Sequence, residues 1–337
     1  MTPTASISVE PTFGEIRKAA ERVRRVAVET PVLHSPELDQ RVGGRILIKP
    51  ESLQRTGSFK IRGAYNFIGQ LDRRTLDAGI VAYSSGNHAQ GVAAAARAVG
   101  ASATIVMPTD APEIKLANTH ALGAEVVTYD RGTAVREEIA AEIAATRGAT
   151  IVPPYDHPRT IEGQGTVGFE FERQVRDAGH ALDALLVSCG GGGLAAGIAL
   201  AFAGTSPDTR IYAVEPEDLD DTARSLAAGR RVSNRKNASS ICDALRAPTP
   251  GKLTFAINRR LLSGGVAVSD DEVRHAMAYA FRVLKLVVEP GGAAALAAAL
   301  SGGFDCRDKT VGIVISGGNV DRAAFADAVQ PDAPHPG

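Results

Sequence analysis

Tryptophan is absent from this 337-residue chain, and aromatic residues make up only 5% of it. That composition argues against the stacked aromatic platforms on which single-stranded nucleic acids lie. Neither sign of charge is in surplus: 37 basic side chains stand against 38 acidic ones, for a formal net charge of -1. A polyanion-binding surface and a disordered acidic tail are both disfavoured. The three cysteines, Cys189, Cys242 and Cys306, lie far apart and form no C-x-x-C pair. Reduced thiols are expected, with no disulfide frame and no zinc site. Long hydrophobic runs are missing too. Apolar stretches such as Gly193 to Gly204 are too short and too rich in Gly and Ala to span a bilayer. The opening segment, Met1 to Ala20, lacks the basic start and apolar run of a signal peptide. A cytoplasmic protein without nucleic-acid or membrane partners is expected.

What the chain does have is enough apolar content, 44%, for two domains with real cores. Strand-like and helix-like segments alternate. Ile80 to Tyr83 reads as a strand, followed by a Gly-Asn-His turn and an Ala-rich helix from Gly91 to Val99. The strand Thr104 to Met107, a helix from Glu113 to the Gly123 stop, and the strand Glu125 to Tyr129 continue the pattern. A helix over Arg136 to Arg147 and a strand over Thr150 to Val152 close this region. After Pro153-Pro154 a second set follows, with strands at Ala184 to Val187, Ile211 to Val214 and Val311 to Ile315, and a packed helix at Gly291 to Leu300. Apolar strands without alternation predict an α/β fold whose parallel sheets are covered on both faces. The Arg230 to Ser240 stretch reads as a surface loop and 331–337 as a frayed tail.

Four motifs carry chemistry. Ser58-Phe59-Lys60-Ile61-Arg62-Gly63-Ala64 sets a lysine between apolar neighbours. A buried lysine sheds its proton, and a neutral amine can form a Schiff base with a carbonyl cofactor; the bland reading is a snorkelling side chain. Ser188-Cys189-Gly190-Gly191-Gly192-Gly193-Leu194 joins an apolar strand to a helix, where converging amides suit a phosphate. The same run fits a loose dinucleotide fingerprint with Glu215 at the end of the next strand. Ser84-Ser85-Gly86-Asn87-His88-Ala89-Gln90-Gly91 has hydroxyls and a helix start that suit a carboxylate, or serve only as caps. Ser316-Gly317-Gly318-Asn319-Val320-Asp321 follows the last strong strand, where α/β sheets bind ligands.

In order, SFKIRGA, SSGNHAQG, GGGGLAAG, VEPGGAAA and SGGNVD resemble the fold-type II pyridoxal-phosphate enzymes, the tryptophan synthase β-like group. Within that group the chain is similar to the serine/threonine dehydratase and serine racemase branch, from roughly Thr30 to Asp321. The resemblance implies two open, twisted, mostly parallel sheets flanked by helices. It implies a large cofactor-binding domain, 1–72 with 153–330, and a small mobile domain, 73–152. Lys60 would then be the Schiff-base lysine, with Phe59 packed on the cofactor ring and Asn87 bonded to its hydroxyl oxygen. Gly190, Gly191, Gly192, Gly193 and Leu194 would bind the phosphate, and Ser316 would face the pyridine nitrogen. Ser84, Ser85, Asn87 and His88 would hold the substrate carboxylate. Ser85 also stands at the second catalytic position, opposite Lys60.

A hydroxyl at Ser316 would not keep the pyridine nitrogen protonated, which favours expelling a β-hydroxyl over a long-lived carbanion. The expected activity is a dehydratase or ammonia-lyase that turns L-threonine or L-serine into an α-keto acid and ammonia. The alternatives are a 3-hydroxyaspartate dehydratase and a serine racemase with side dehydratase activity. Arg136 keeps the former open, since it aligns where a distal carboxylate would lie; its bland reading is a helix arginine paired with Glu137 or Glu138. Many relatives read Ala-Asp-Gly where this chain has Cys242-Asp243-Ala244, near the substrate side chain. Glu215, the Leu219 carbonyl and Asp221 match a divalent-metal position, with Mg or another oxygen-bound cation expected, unless the acidic loop is merely solvated. The chain ends soon after SGGNVD, so no regulatory C-terminal domain is expected; a homodimer is.

Overall fold

A computed structural model describes residues 10–111, 113–130 and 132–330; the tail expected to fray, 331–337, lies outside them. Among the described residues ten strands form two sheets. In chain order they are β1 (Leu33–His34), β2 (Arg45–Pro50), β3 (Ile80–Tyr83), β4 (Ala103–Pro108), β5 (Glu125–Tyr129), β6 (Thr150–Ile151), β7 (Ala184–Ser188), β8 (Arg210–Pro216), β9 (Gly264–Val268) and β10 (Thr310–Ile315). The six-stranded sheet runs β1-β2-β10-β7-β8-β9 and the four-stranded sheet β5-β4-β3-β6. Among these strands β1–β2 is antiparallel and every other pair is parallel. Parallel strands need covered crossovers, so helices flank both sheets, and β2, β4, β7 and β10 are buried almost end to end. The architecture is the α/β one expected from the alternation of elements.

Parallel pairing puts the carboxyl ends of neighbouring strands on one edge. β10 lies beside β7 with Val314 against Val187, so the Ser316 turn and the glycine run emerge side by side. β2 lies on the other flank of β10, and the chain leaving it reaches Lys60 through two short 3-10 turns. That approach is zipped to the Ser316 turn: Ser58 and Gly317 form an antiparallel bridge, the Phe59 N–H donates to the Ser316 carbonyl at 3.2 Å, and the Gly318 N–H to the Gly57 carbonyl at 2.9 Å.

Two features differ from the sequence reading. The helix after β3 is Asn87–Ala98, beginning four residues before the expected Gly91, so Asn87 and His88 are helical, not part of a turn. The turn shrinks to Ser84–Gly86 because Ser84 Oγ accepts the Gly86 N–H at 3.2 Å, while Nε2 of the His88 ring bonds the Val152 carbonyl at 2.9 Å. Strands β1, β2 and β9 are not among those expected from the sequence. In β2 a lysine interrupts the apolar run, yet Lys49 is fully buried.

Lys49 survives burial because it is paired. Its Nζ donates to the Thr30 carbonyl, Glu170 and Gln174 at 2.6, 2.6 and 2.7 Å. Arg62, also fully buried, forks onto Glu51 at 2.7 and 2.8 Å and onto Glu170 at 3.0 and 3.0 Å. Two cations and two carboxylates thus neutralise one another inside the protein. The network ties β2 and the long helix Pro158–Asp177 to the helix Lys60–Ile68, two residues from Lys60.

Candidate active site

One cavity opens where these strand ends meet. Its lining includes Phe59 and Lys60, the run Ser84 to His88, Arg136, the run Gly190 to Leu194, and Ser316. Residues scattered over the chain are therefore brought together by the two sheets. Lys60 is the first residue of its helix, and its Nζ donates to the Pro154 carbonyl at 2.9 Å. Burial pulls its pKa down to about 8, against the opposing pull of the Glu289 charge. The Phe59 ring lies beside it, 5.2 Å from centroid to Nζ.

Glu289 is the residue that the sequence reading passed over inside VEPGGAAA. It is 2% exposed, lines the cavity, and its Oε1 accepts from Asn87 Nδ2 at 2.5 Å. Burial first, and the Asp243 charge second, push its pKa up to about 8, so it is mostly neutral near pH 7. Asn319 Nδ2 donates in turn to Asn87 Oδ1 at 2.8 Å and to the Thr56 carbonyl at 2.7 Å. Asn87 is thereby fixed from both ends. The neighbouring His88 has its pKa lowered to about 3, by burial and then by Lys60, and is a neutral anchor for the helix.

The glycine run turns at Gly192, whose φ of +87° suits glycine, into the helix Gly193–Thr205. Its glycines are also needed for close approach: a Cβ on Gly191 would stand 2.5 Å from the Tyr155 ring, and one on Gly193 2.9 Å from Tyr155 Cβ. Tyr155 and Tyr83 line the cavity, and neither was anticipated. Their only sequence signal is position, Tyr83 ending a strand before SSGN and Tyr155 following Pro153-Pro154.

Arg136 is paired with its helix neighbour and also reaches the cavity. Its Nε pairs with Glu137 at 2.9 Å, and its guanidinium lies 5.5 Å from the Tyr83 ring centroid while lining the cavity. A second cation stands there, Lys115, which bonds Asp243 at 2.6 Å across 128 residues of sequence.

The whole chain can now be set beside known proteins. The sequence profile of the family described as pyridoxal-phosphate dependent enzyme matches residues 23–317. The chain belongs to that family. It is 43% identical over 318 residues to an L-threo-3-hydroxyaspartate ammonia-lyase of Pseudomonas sp, covering 94% of this chain and 98% of that one. Among solved structures, a threonine deaminase of T.th. superposes with a TM-score of 0.87 at 42% identity, covering 92% and 99% of the two chains. Maize serine racemase superposes with a TM-score of 0.89 at 38% identity, covering 95% and 97%. The fold is that of the fold-type II pyridoxal-phosphate enzymes, and the protein depends on pyridoxal phosphate.

The cavity of this family member fits such a cofactor. It offers an amine of lowered pKa, a helix start built of side-chain-free residues, and a neutral hydroxyl at Ser316, which is 5% exposed. A divalent cation is a separate matter. Glu215, Leu219 and Asp221 lie outside the cavity lining, at the carboxyl end of β8. Glu215 is fully buried and caps the helix Asp221–Ala228, accepting the N–H groups of Thr222 and Ala223 at 2.9 and 2.8 Å. Burial, and then the Asp221 charge, raise its pKa to about 8. Burial also raises Asp221, to about 6; its Oδ1 accepts from Asn234 at 2.6 Å, but its buried Oδ2 has no hydrogen-bond partner. Among the described residues no three His, Cys, Asp or Glu side chains converge as metal ligands. Two carboxylates with an orphaned oxygen, completed by backbone carbonyl and water, still suit a hard cation. Among the same residues no helix is long and apolar enough to cross a membrane.

Proposed function

We propose that the protein is a pyridoxal-phosphate-dependent ammonia-lyase for small β-hydroxy amino acids, with 3-hydroxyaspartate as its preferred substrate. The observation that carries the reading is the Lys60 amine, drawn down to about pH 8 in a cavity shared with SSGN, the glycine run and Ser316. Bound there, pyridoxal phosphate supplies the electron sink for loss of the Cα proton and the β-hydroxyl. Lys60 and Phe59 would hold the cofactor, Gly190 to Leu194 would seat its phosphate, and Asn87 and Ser316 would address its ring. Ser84, Ser85 and the helix start at Asn87 and His88 hold the substrate α-carboxylate. Lys60 takes the proton from Cα in its neutral form, which a pKa of about 8 makes accessible near neutral pH. Loss of water followed by hydrolysis of the enamine gives an α-keto acid and ammonia. Ser85, which lines the same cavity, is proposed as the second proton carrier of the racemase reading.

Arg136 and Lys115 support the dicarboxylate preference. With Glu289 mostly neutral, Asp243 is the only carboxylate among the described lining residues that balances Lys115, Arg136 and Arg246. A relative named L-threo-3-hydroxyaspartate ammonia-lyase agrees. L-Threonine or L-serine is the second reading, favoured by the ion pairs that already engage Lys115 and Arg136. Keto-acid release by the loaded enzyme decides, measured with L-Thr, L-Ser, D-Ser and the 3-hydroxyaspartate stereoisomers, with and without Mg. Oxaloacetate is expected to form fastest, and Arg136→Ala to raise KM for hydroxyaspartate about tenfold or more while leaving L-Ser turnover in place. No keto acid from any of these substrates would overturn the lyase reading.

We propose further that 73–152, which contributes all four strands of the smaller sheet, moves as a small domain against 1–72 and 153–330. The Lys115–Asp243 pair then acts as a closing contact between them. Glu215, the Leu219 carbonyl and Asp221 are proposed to hold Mg. A homodimer is proposed through the face carrying Leu53 and Val287, which are 50% and 49% exposed. Light scattering tests it, a monomeric mass ruling it out.

A further inference from the structure

The glycine run has two sides. Gly190 to Gly193 line the cavity, whereas Thr254 and Asn258 behind them do not, and both of these are fully buried. They stand one turn apart on the helix Lys252–Leu261. Thr254 Oγ1 donates to the Gly191 carbonyl at 2.7 Å, and the Gly251 N–H reaches the same oxygen at 3.3 Å. Asn258 Nδ2 makes a longer bond, 3.4 Å, to the Gly192 carbonyl. The helix start is itself clamped. The Asp156 carboxylate accepts the N–H groups of Lys252, Leu253 and Thr254 at 2.8, 2.9 and 3.1 Å.

A trans peptide is planar, with its C=O and the following N–H on opposite sides. Carbonyls of Gly191 and Gly192 drawn back to this helix turn the N–H groups of Gly192 and Gly193 away from it. The contact leaves no room for a side chain on the run, since a Cβ on Gly192 would stand 2.8 Å from Asn258 Nδ2. Asn258 also bears a cost that stability alone would not select. Its Oδ1 is buried without a partner, which costs about 1–3 kcal/mol, and a leucine there would avoid it.

We infer that Thr254 and Asn258 are positioning residues that aim the amides of the glycine run at the phosphate of the cofactor. This rests on the reading that Gly190 to Leu194 seat that phosphate. The test compares pyridoxal 5'-phosphate with pyridoxal, which lacks the phosphate, on the full chain freed of cofactor. Thr254→Val keeps the shape and removes the hydroxyl; it is expected to raise Kd for pyridoxal phosphate about tenfold and leave that for pyridoxal unchanged. Thr254→Ser is expected to restore affinity. Asn258→Leu is expected to weaken phosphate-dependent binding without lowering the melting temperature of the cofactor-free chain. Gly191→Ala serves as the control for the seat. If it weakens pyridoxal phosphate selectively while Thr254→Val does not, the positioning role is wrong and the seat stands. If Gly191→Ala affects both ligands alike, the seat itself is wrong and the positioning role falls with it. Equal weakening of both ligands by Thr254→Val, with a parallel loss of melting temperature, also overturns the inference, leaving a purely structural contact.

Discussion

Lys60 differs from a surface lysine in one respect that matters, the cost of keeping its proton. Burial lowers its pKa to about 8, and only the Glu289 charge pulls the other way. The amine therefore becomes reactive within reach of neutral pH, as a base or a nucleophile requires. Labelling the cofactor-free chain with an amine-selective reagent, read by mass spectrometry, should give a Lys60 rate that rises with pH and levels above about 8. Surface lysines should still be gaining reactivity beyond about 10. A Lys60 rate that tracks the surface lysines would remove the proposed base. The lysine was legible in sequence because Phe59 and Ile61 flank it. Glu289 was not, because its role comes from burial beside Asn87, two hundred residues away in the chain.

At the scale of elements, the helix that begins with Lys60 is held from below. Arg62 joins it through Glu51 to the 3-10 turn Glu51–Leu53 that follows β2, and through Glu170 to the helix Pro158–Asp177. Replacing one member of a buried pair leaves the other charge unpaired, so Arg62→Met should cost about 3–5 kcal/mol in urea unfolding. Adding Glu51→Gln should recover part of that loss. A loss below about 1 kcal/mol for the single change would mean that water already reaches the network. The elements that the sequence reading did bound mostly keep those bounds to within about two residues. β5 and the helix Arg136–Arg147 fall where the pattern of apolar runs and glycine stops puts them. The early start at Asn87 and the strand β2 were hidden, since a histidine anchored to a distant carbonyl and a lysine neutralised by a distant glutamate leave no local mark.

At the scale of the whole molecule, two parallel sheets deliver their carboxyl ends to one cavity. The lysine helix shares a core with the smaller sheet: one apolar cluster runs from Ile61, Ala64 and Ile68 on that helix to Ile80, Ala89 and Ile105 in the region of the smaller sheet. Any movement of 73–152 is thus felt at the helix bearing Lys60. Global stability also reports the proposed cation site. Glu215 and Asp221 titrate near 8 and 6 in the folded chain against ordinary values of 4.5 and 3.8. Both folded pKa values are raised, so their contribution to stability is present in acid and is lost as pH rises through the folded values. Bound Mg would replace the protons and remove that loss. The Mg-dependent rise in melting temperature should accordingly be small near pH 5 and larger near pH 8 (roughly, from those values). No Mg effect at either pH would leave the two carboxylates as a helix cap and no more.

The sequence by itself determined the α/β class, the family and the residues able to do chemistry, because periodicity, glycine runs and short motifs are local properties of the chain. Only the tertiary structure decided which groups face one another. Glu289 against Asn87, Thr254 behind Gly191 and Lys115 against Asp243 are contacts between segments far apart in sequence. The protonation of Glu289 follows from its burial, and the directions of the other side chains from partners that no local pattern encodes.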